Sequence, residues 1–558
     1  MPDRTYSLII PIYALDKDRE RAFRFVLSKA LAYSVFSEVI IVEQLNDGQT
    51  PLDLPEGVTR VNYRTDLEES HKSKLVNLGA MQATGDVLFV NDCDIWLDWR
   101  TATKELNKLE MFAYCKPFSH FVRLDQQDAD RLIETNLAAN RGTTITVPIA
   151  GSFAIMRSLF LLIGGMDERF TGWAQEDTEL RARLGKWFPI TVLDRLVGRH
   201  LYHDRDSTTI RAHARQYSHI FAQSATGTFL GNLRKVETSI PKPAQRPLDD
   251  TAYVVCHYGT ANELRNTATR ESLEWLTYSQ DELPRLIFAE LTCGTEPQYA
   301  DFADNPHIDY IHIQGDDSNS DLMQKEAIYN HVLANHSKGE KVWIFGDSDI
   351  LPIDSDWIAE TRRKVLENPR AIVHGYSVWR DQEQERLQIS IARFKTDKPR
   401  DYPAPGLVWA THADYIEEFT EGGRPFFNPY LLTGSGDVMF IFEHGRREDY
   451  GNYNDRHLSY RWVQRIIDLD GPKADMDYVD RSLFHYYHGD YKGRAYIWSR
   501  VFLDYFGDVR QYVKLDGQGL LSWRDAEGSP LRKVLKRKSQ LQDEESTKRV
   551  IRETMEVG

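Results

Sequence analysis

The chain opens on an apolar run, YSLIIPIY at residues 6–13. DKDRERAFRFVLSKALAY follows with apolar residues at helical spacing, and then a second short apolar run, EVIIVEQ. Strand, helix, strand is the opening of an α/β domain built on a parallel sheet. KSKLVNLGAMQA predicts the next helix. GDVLFVNDCDIW predicts a buried strand that runs into acidic residues at its carboxyl end, where open α/β sheets bind their ligands. SIPKPAQRPLDD (239–250) holds three prolines and no apolar period, the mark of a linker. The pattern then restarts: TAYVVCHYG as strand, NELRNTATRESLEWLTY as helix, RLIFAELTCG as strand, SDLMQKEAIYNHVLANHSKG as helix, and EKVWIFGDSDILP as a strand ending in acids.

This is a divergent internal repeat. Asp92/Asp94 and Asp347/Asp349 stand 255 residues apart. GWAQED (172–177) in the first half is matched in order by TGSGD (433–437) in the second, and each half then carries H-x-Y-H, as His200–His203 and His485–His488. Three landmarks in one order predict two similar domains: residues 1–240, a linker over 241–250, residues 251–515, and a charged helical tail over 516–558. That tail, with LRKVLKRKSQ and a run of acids and bases after it, is expected to be a solvated helix that packs weakly on the body; its sharper alternative is peripheral contact with an anionic membrane surface.

A chain of 558 residues suits two cores rather than one, and 41% hydrophobic with 27% charged residues is globular composition. Apolar runs long enough for a membrane span are missing, and the first residues lack the apolar length and cleavage site of a signal peptide. The four cysteines (Cys93, Cys115, Cys256, Cys293) form no CxxC pair, so neither a zinc site nor a disulfide framework is expected, and the cytoplasm is. A formal charge of −15 argues against stable nucleic-acid binding.

Two carboxylates one residue apart at a strand end suit a hard divalent cation, Mn²⁺ or Mg²⁺, that bridges protein to phosphate. Asp92, Asp94, Asp347 and Asp349 are therefore candidates for metal and donor binding. Imidazole favours Mn²⁺ over Mg²⁺, which brings in His203 and His488 as ligands, with His200 and His485 as alternates or phosphate contacts. Glu176 and Asp177 open an apolar helix, where acids also serve as caps; the chemical alternative is a base that takes the proton of an acceptor hydroxyl. Asp437, after two glycines, is the base candidate of the second half, and Trp173 is a candidate stacking wall. Lys72 and Lys74 are candidate phosphate contacts or simply exposed lysines at a helix start. Gln324 and Lys325 are their weaker counterparts. Arg494, with Lys492 and Arg500, makes a basic cluster after the second histidine pair. Pro11, Tyr13 and Glu43, at the ends of the first two strands, complete the candidate donor contacts.

At these residues the first half resembles the β1,4-galactosyltransferase group and the bacterial chondroitin-polymerase-type enzymes, through IVEQLNDG, HKSKLVNLGAMQA, VNDCDIW, GGMDERFTGWAQEDTELRARL and HLYHDRD, over about residues 6–210. The resemblance implies a GT-A fold, a UDP-sugar donor, Mn²⁺ and inversion at the anomeric carbon. It makes Asp94 the principal ligand of the acid pair, His203 the metal histidine, His200 the occupant of a methionine ligand's place, and Asp177 the base. Ala174 departs from the usual glycine and leaves the acceptor loop's shape open. The second half is similar to bacterial and phage family 2-like transferases through GLVWATHADYIEE, NPYLLTGSGD and HYYHGDYKGRAY, which implies GT-A again.

The expected function is a bifunctional, metal-dependent transfer of sugars from nucleotide-sugar donors to a glycan acceptor, lipid-linked or part of a surface polysaccharide. Two alternatives stand beside it: one active domain with the other an acceptor-binding module, and a transferase acting on a modified nucleic-acid base.

Overall fold

The computed structural model describes residues 4–109, 111–136, 143–145, 151–172, 175–185, 187–203, 217–226, 229–242, 244–258, 263–381, 387–390, 392–393, 403–404, 406–432, 436–446, 461–486, 503–525 and 529–537. The chain divides into two units, Met1–Pro243 and Ala244–Gly558.

Unit 1 contains strands β1 (Tyr6–Tyr13), β2 (Glu38–Leu45), β3 (Val58–Arg64), β4 (Val87–Asn91), β5 (Ile95–Trp96), β6 (Tyr114–Lys116), β7 (His120–Arg123), β8 (Thr143–Ile145), β9 (Ser152–Met156), β10 (Ile190–Val192) and β11 (Val197–His200). Its main helices are α1 (Lys17–Tyr33), α2 (Lys72–Gln82), α3 (Trp99–Lys108), α4 (Gln126–Thr135), α5 (Arg157–Leu162) and α6 (Glu176–Gly185). Seven strands form one sheet in the order β10-β6-β9-β4-β1-β2-β3, and β5-β11-β7-β8 form a second. The run β3-β2-β1-β4 is parallel, with β9 antiparallel between β4 and β6.

The central strands are buried along almost their whole length, which is why they are apolar runs rather than alternating ones. α1 starts where the Asp16 side chain accepts from the Arg19 amide at 2.8 Å, and it buries Ala22, Phe23, Val26, Leu27 and Ala30. That spacing places one apolar stripe against the sheet. β1 pairs with β4 only through Tyr6–Ile9, whereas β2 follows it to Tyr13. Pro11 therefore lies where β1 has a partner on one flank, a place that tolerates the missing N–H. The gap between β1 and β4 is the point where the strand order reverses, and such a point forms a ligand crevice.

Unit 2 repeats this plan. Its strands are β12 (Arg246–Tyr258), β13 (Glu282–Cys293), β14 (Ile308–Gly315), β15 (Val342–Gly346), β16 (Ile350–Pro352), β17 (Ala371–His374), β18 (Val378–Asp381), β19 (Leu387–Ser390), β20 (Pro403–Ala404), β21 (Val408–His412), β22 (Asp475–Tyr478), β23 (Ser482–His485), β24 (Val513–Leu515) and β25 (Leu521–Trp523). The main sheet runs β14-β13-β12-β15-β21-β17-β22, and a second runs β16-β23-β18-β19-β20. Read from the other edge, the main order and every parallel or antiparallel relation match unit 1. β16-β23-β18-β19 likewise repeats β5-β11-β7-β8.

Two segments differ from the sequence-based reading. The proposed linker over 241–250 is partly strand: β12 begins at Arg246, and Arg246–Leu248 pair with Glu282–Pro284 before a register shift. Pro247 is accepted because β15 joins β12 only from Thr251, so that stretch is flanked on one side. The segment assigned to a charged tail from 516 contributes to the core through residues 520–523 and 531–535. Leu520, Leu521, Trp523, Leu531 and Leu535 are buried with the main cluster of unit 2. Arg532 pairs with Asp317 at 2.9 Å and Asp321 at 3.2 Å. Leu531 and Leu535, one helical turn apart, carry the apolar stripe that the surrounding charges obscure. Residues 538–558 lie outside the described residues. Among the described residues, no helix is long and apolar enough to cross a membrane.

Candidate active site

In unit 1 the two acids of the D-x-D pair leave the end of β4 in different directions, held by two backbone clamps. The Asp92 amide donates to the Gly151 carbonyl at 2.7 Å, and the Leu201 amide donates to the Asp94 carbonyl at 2.8 Å. Gly151 has φ +120°, a conformation that favours glycine, and a Cβ there would press on Ile95 Cδ1 at 2.2 Å.

Asp94 faces the histidines. Its carboxylate lies 3.1 Å from His203 Nε2 and 3.7 Å from His200 Nε2, with Arg19 Nε also at 3.7 Å. Asp94, His200 and His203 are buried, and one ligand atom from each lies within 4.8 Å of the others. His200 Nδ1 is 2.8 Å from the Leu201 carbonyl. A carbonyl only accepts, so Nδ1 carries a proton, which leaves Nε2, on the Asp94 side, as the nitrogen whose proton a cation would displace. Burial alone would raise the Asp94 carboxyl, yet the charge of His200, the hydrogen bond with His203 and the charge of Arg19 hold it well below the usual carboxylate range.

Asp92 faces a lysine. Lys72 Nζ lies 2.8 Å from Asp92 Oδ1, 2.6 Å from Asp177 Oδ2 and 3.6 Å from Glu176 Oε1. Three carboxylates around one ammonium leave an excess of negative charge. Burial, with the neighbouring Asp177 charge, pushes Glu176 up to about 8. Burial pushes Asp92 up to about 6 against the pull of Lys72. Lys72 is raised well above its ordinary value: burial opposes this, but Asp177, Asp92 and Glu176 outweigh it. Asp177 Oδ1 and Glu176 Oε2 are buried without a hydrogen-bond partner. Unsatisfied buried carboxylate oxygens are costly unless something else completes them.

Unit 2 rebuilds this constellation. The Asp347 amide donates to the Leu407 carbonyl, and the Tyr486 amide to the Asp349 carbonyl, both at 2.8 Å. Leu407 occupies the Gly151 position and keeps a positive φ of 85°, a strained backbone for a leucine that persists at this clamp. Lys325 Nζ lies 2.7 Å from Asp347 Oδ1 and 3.1 Å from Asp437 Oδ1. His485 Nε2 lies 3.5 Å from Asp349 Oδ2. Burial raises Asp437, against the pull of Lys325.

Residues 7–213 match the model of a family described as glycosyltransferase like family 2. Unit 1 carries a glycosyltransferase domain. No curated protein matches the chain. Among solved structures, the glucosyl-3-phosphoglycerate synthase of M. tuberculosis is similar at 15% identity over 40% of this chain and 80% of that one, with a TM-score of 0.27. GalNAc-T7, crystallised with UDP, GalNAc and Mn²⁺, is similar at 16% identity over 42% of this chain and 54% of that one, also at 0.27. Overlaps this slight assign nothing to the present chain.

Within the transferase domain, the acid-bearing helix α6 is fixed from beneath. Arg183 and Glu179 form a fully buried pair at 2.8 Å. Arg183 also donates to the Ile163 and Gly165 carbonyls at 2.9 and 2.6 Å. The GGMDE segment is in turn pinned to α2: Asn77 donates to the Met166 carbonyl at 2.8 Å and accepts from its amide at 2.9 Å. Gly165, at φ +66°, lies so close that a Cβ would stand 2.3 Å from Asn77 Oδ1. Lys74 pairs with Glu168 at 3.0 Å, on this scaffold rather than among the acids around Lys72.

The structure thus brings together Asp92, Asp94, Glu176, Asp177, Lys72, His200 and His203 in unit 1, and Asp347, Asp349, Asp437 and His485 in unit 2. Glu43 is held aside: its carboxylate accepts from the Leu52 amide at 3.1 Å. Glu290, its counterpart in unit 2, accepts from the Gln298 amide at 2.7 Å. Pro11 lies within β1, and the Tyr13 hydroxyl donates to the Glu68 carbonyl. Trp173, His488 and Arg494 lie outside the described residues. Sequence reasoning passed over Arg19, one of several charged residues in a run read only for its helical apolar spacing. It ranked Lys325 low, although its position before the helix that leads to Asp347 was the available signal.

Proposed function

We propose that the chain is a metal-dependent glycosyltransferase with two active sites, each moving a sugar from a nucleotide-sugar donor, a UDP-sugar in unit 1, to a glycan acceptor. One observation carries the reading: the lysine-bridged acids and the aspartate–histidine pair recur at equivalent strand ends, clamped by equivalent backbone hydrogen bonds.

The Asp94, His200 and His203 donor set fits a divalent cation with imidazole affinity, Mn²⁺ before Mg²⁺. Such an ion supplies charge neutralisation for the diphosphate leaving group. The chain's own residues do the rest. Asp177 accepts the proton of the acceptor hydroxyl as its oxygen bonds to the anomeric carbon and the bond to the diphosphate breaks, which inverts that carbon. Lys72 sits between Asp92 and Asp177, so an arriving diphosphate competes for its ammonium and releases Asp177 for proton transfer. Arg19 adds positive charge beside Asp94. In unit 2, Asp437 and Lys325 take these parts.

The test is a screen of UDP-sugars for Mn²⁺-dependent hydrolysis with wild type, Asp94→Ala and Asp349→Ala. Two donor activities, each lost in a different variant, are expected. Loss of every activity in either single variant would overturn two independent sites.

A further inference from the structure

The two sites differ in where their second carboxyl comes from. In unit 1 it is Glu176, directly before Asp177 on α6. In unit 2 the residue before Asp437 is Gly436, which has no side chain to offer. A carboxyl is present nonetheless, on a different helix: Glu326 follows Lys325 in the helix Lys325–His336, at the place where unit 1 has Ser73 after Lys72.

Glu326 is 4% exposed, and its Oε2 has no hydrogen-bond partner. It lines a pocket together with Lys325 and Asp437, backed by Trp409, Phe427 and Phe440. Burial pushes its carboxyl up to about 7, so near neutrality it both donates and accepts. A buried carboxyl oxygen left unsatisfied costs roughly 1–3 kcal/mol. A fold retains such a group where a ligand completes it. The pocket sets Lys325, Glu326 and Asp437 against a mostly apolar wall and has about 10 Å³ of room, enough for one hydroxyl-sized group, which is what a sugar hydroxyl reaching Glu326 would occupy.

We propose that Glu326 is an acceptor-binding residue of unit 2, hydrogen-bonding one hydroxyl of the incoming sugar beside the hydroxyl whose proton Asp437 takes. This rests on the reading of unit 2 as a transferase. In unit 1 the corresponding carboxyl sits on the helix of the base, and in unit 2 on the helix of the lysine, so the two units are expected to hold their acceptors differently.

The experiment uses the full chain carrying Asp94→Ala, which silences unit 1. The probes are p-nitrophenyl α- and β-glycosides of glucose, galactose, N-acetylglucosamine and N-acetylgalactosamine. Their binding is followed by saturation-transfer NMR, and their half-saturation in transfer from UDP-sugars is measured. Glu326→Ser, which copies Ser73, is expected to weaken binding of at least one glycoside by about tenfold or more, with the donor's half-saturation moving less than about threefold. Glu326→Gln, isosteric and still able to donate and accept, is expected to restore most of the binding and to keep the fold if the serine variant loses it. Glycoside binding indifferent to Glu326, or a change confined to the donor, would overturn the proposal. Donor hydrolysis that disappears with Asp349→Ala keeps the transferase reading standing even then. Glycoside binding that depends on Glu326 without any hydrolysis sensitive to Asp349 would sink that reading and leave Glu326 as a sugar contact.

Discussion

Lys72 Nζ stands 2.6 Å from Asp177 Oδ2, so the candidate base is tied to a cation. The same ammonium holds Asp92 at 2.8 Å, and Lys325 repeats the bridge between Asp347 and Asp437. A lysine so placed links donor and acceptor halves of a site: whatever draws it towards the diphosphate frees the carboxylate that must take a proton. Lys72→Met is expected to lower kcat/KM of unit 1 by about a hundredfold, the cost of removing one charge-assisted contact from a water-poor site. It should raise the donor's KM as well. A pure loss of stability with unchanged kinetics would assign the bridge to folding alone.

Asp177→Asn keeps the shape of the side chain and removes its ability to take a proton. UDP affinity, measured by calorimetry with Mn²⁺ present, is expected to stay within about threefold of wild type, while transfer by unit 1 falls by about 10²–10⁴-fold. Lost nucleotide affinity would move Asp177 from the acceptor side to the donor side.

His200→Ala and His203→Ala test the donor set around Asp94. Each removes one neutral imidazole from a buried cluster and is expected to weaken Mn²⁺ binding, followed by the free-ion EPR signal, by about tenfold or more. The resemblance places a methionine where His200 stands, so His200→Met is expected to retain more Mn²⁺ affinity than His200→Ala.

How much of this the sequence disclosed depends on how local each signal is. The D-x-D pairs were legible because an apolar strand and its terminal acids are contiguous, and the repeat followed from their order. Lys72 was ambiguous because a lysine at a helix start looks the same whether it faces solvent or three carboxylates. Arg19 and Glu326 acquire meaning only from strands and helices far along the chain, and Gly151 and Leu407 only from a backbone angle. The proline-rich stretch before Thr251 and the charged stretch around Leu531 misled because neither shows a clear apolar period, yet the first pairs with β13 and the second buries Leu531 and Leu535.

Glu176 gives a pH signature. An unfolded glutamate releases its proton near 4.5, whereas burial and Asp177 hold the folded one to about 8. Between those values the folded chain binds the extra proton. The stability this group contributes is therefore complete below about 4.5, and it is lost as pH rises through about 8. At about 1.4 kcal/mol per pH unit, the change amounts to about 2–5 kcal/mol. Glu176→Gln, without metal or donor, is expected to flatten the decline in denaturation midpoint over that window. An unchanged slope would place the titration elsewhere.

Leu531 and Leu535 decide what the end of the described chain does. Both are buried in the main cluster of unit 2, on a helix that Arg532 ties to Asp317 and Asp321. Truncating a buried leucine leaves a cavity that costs about 2–5 kcal/mol, whereas a leucine on a solvated helix costs well under 1 kcal/mol. Leu531→Ala and Leu535→Ala are thus expected to lower the urea midpoint of unit 2, with Lys533→Ala, on the exposed side of the same helix, as the neutral control. If all three variants unfold like wild type, the helix is a loosely attached appendage. If only the leucines matter, a chain cut before Leu531 loses part of its second core, and reduced transfer by that truncated protein would reflect unfolding of unit 2 rather than loss of a membrane contact.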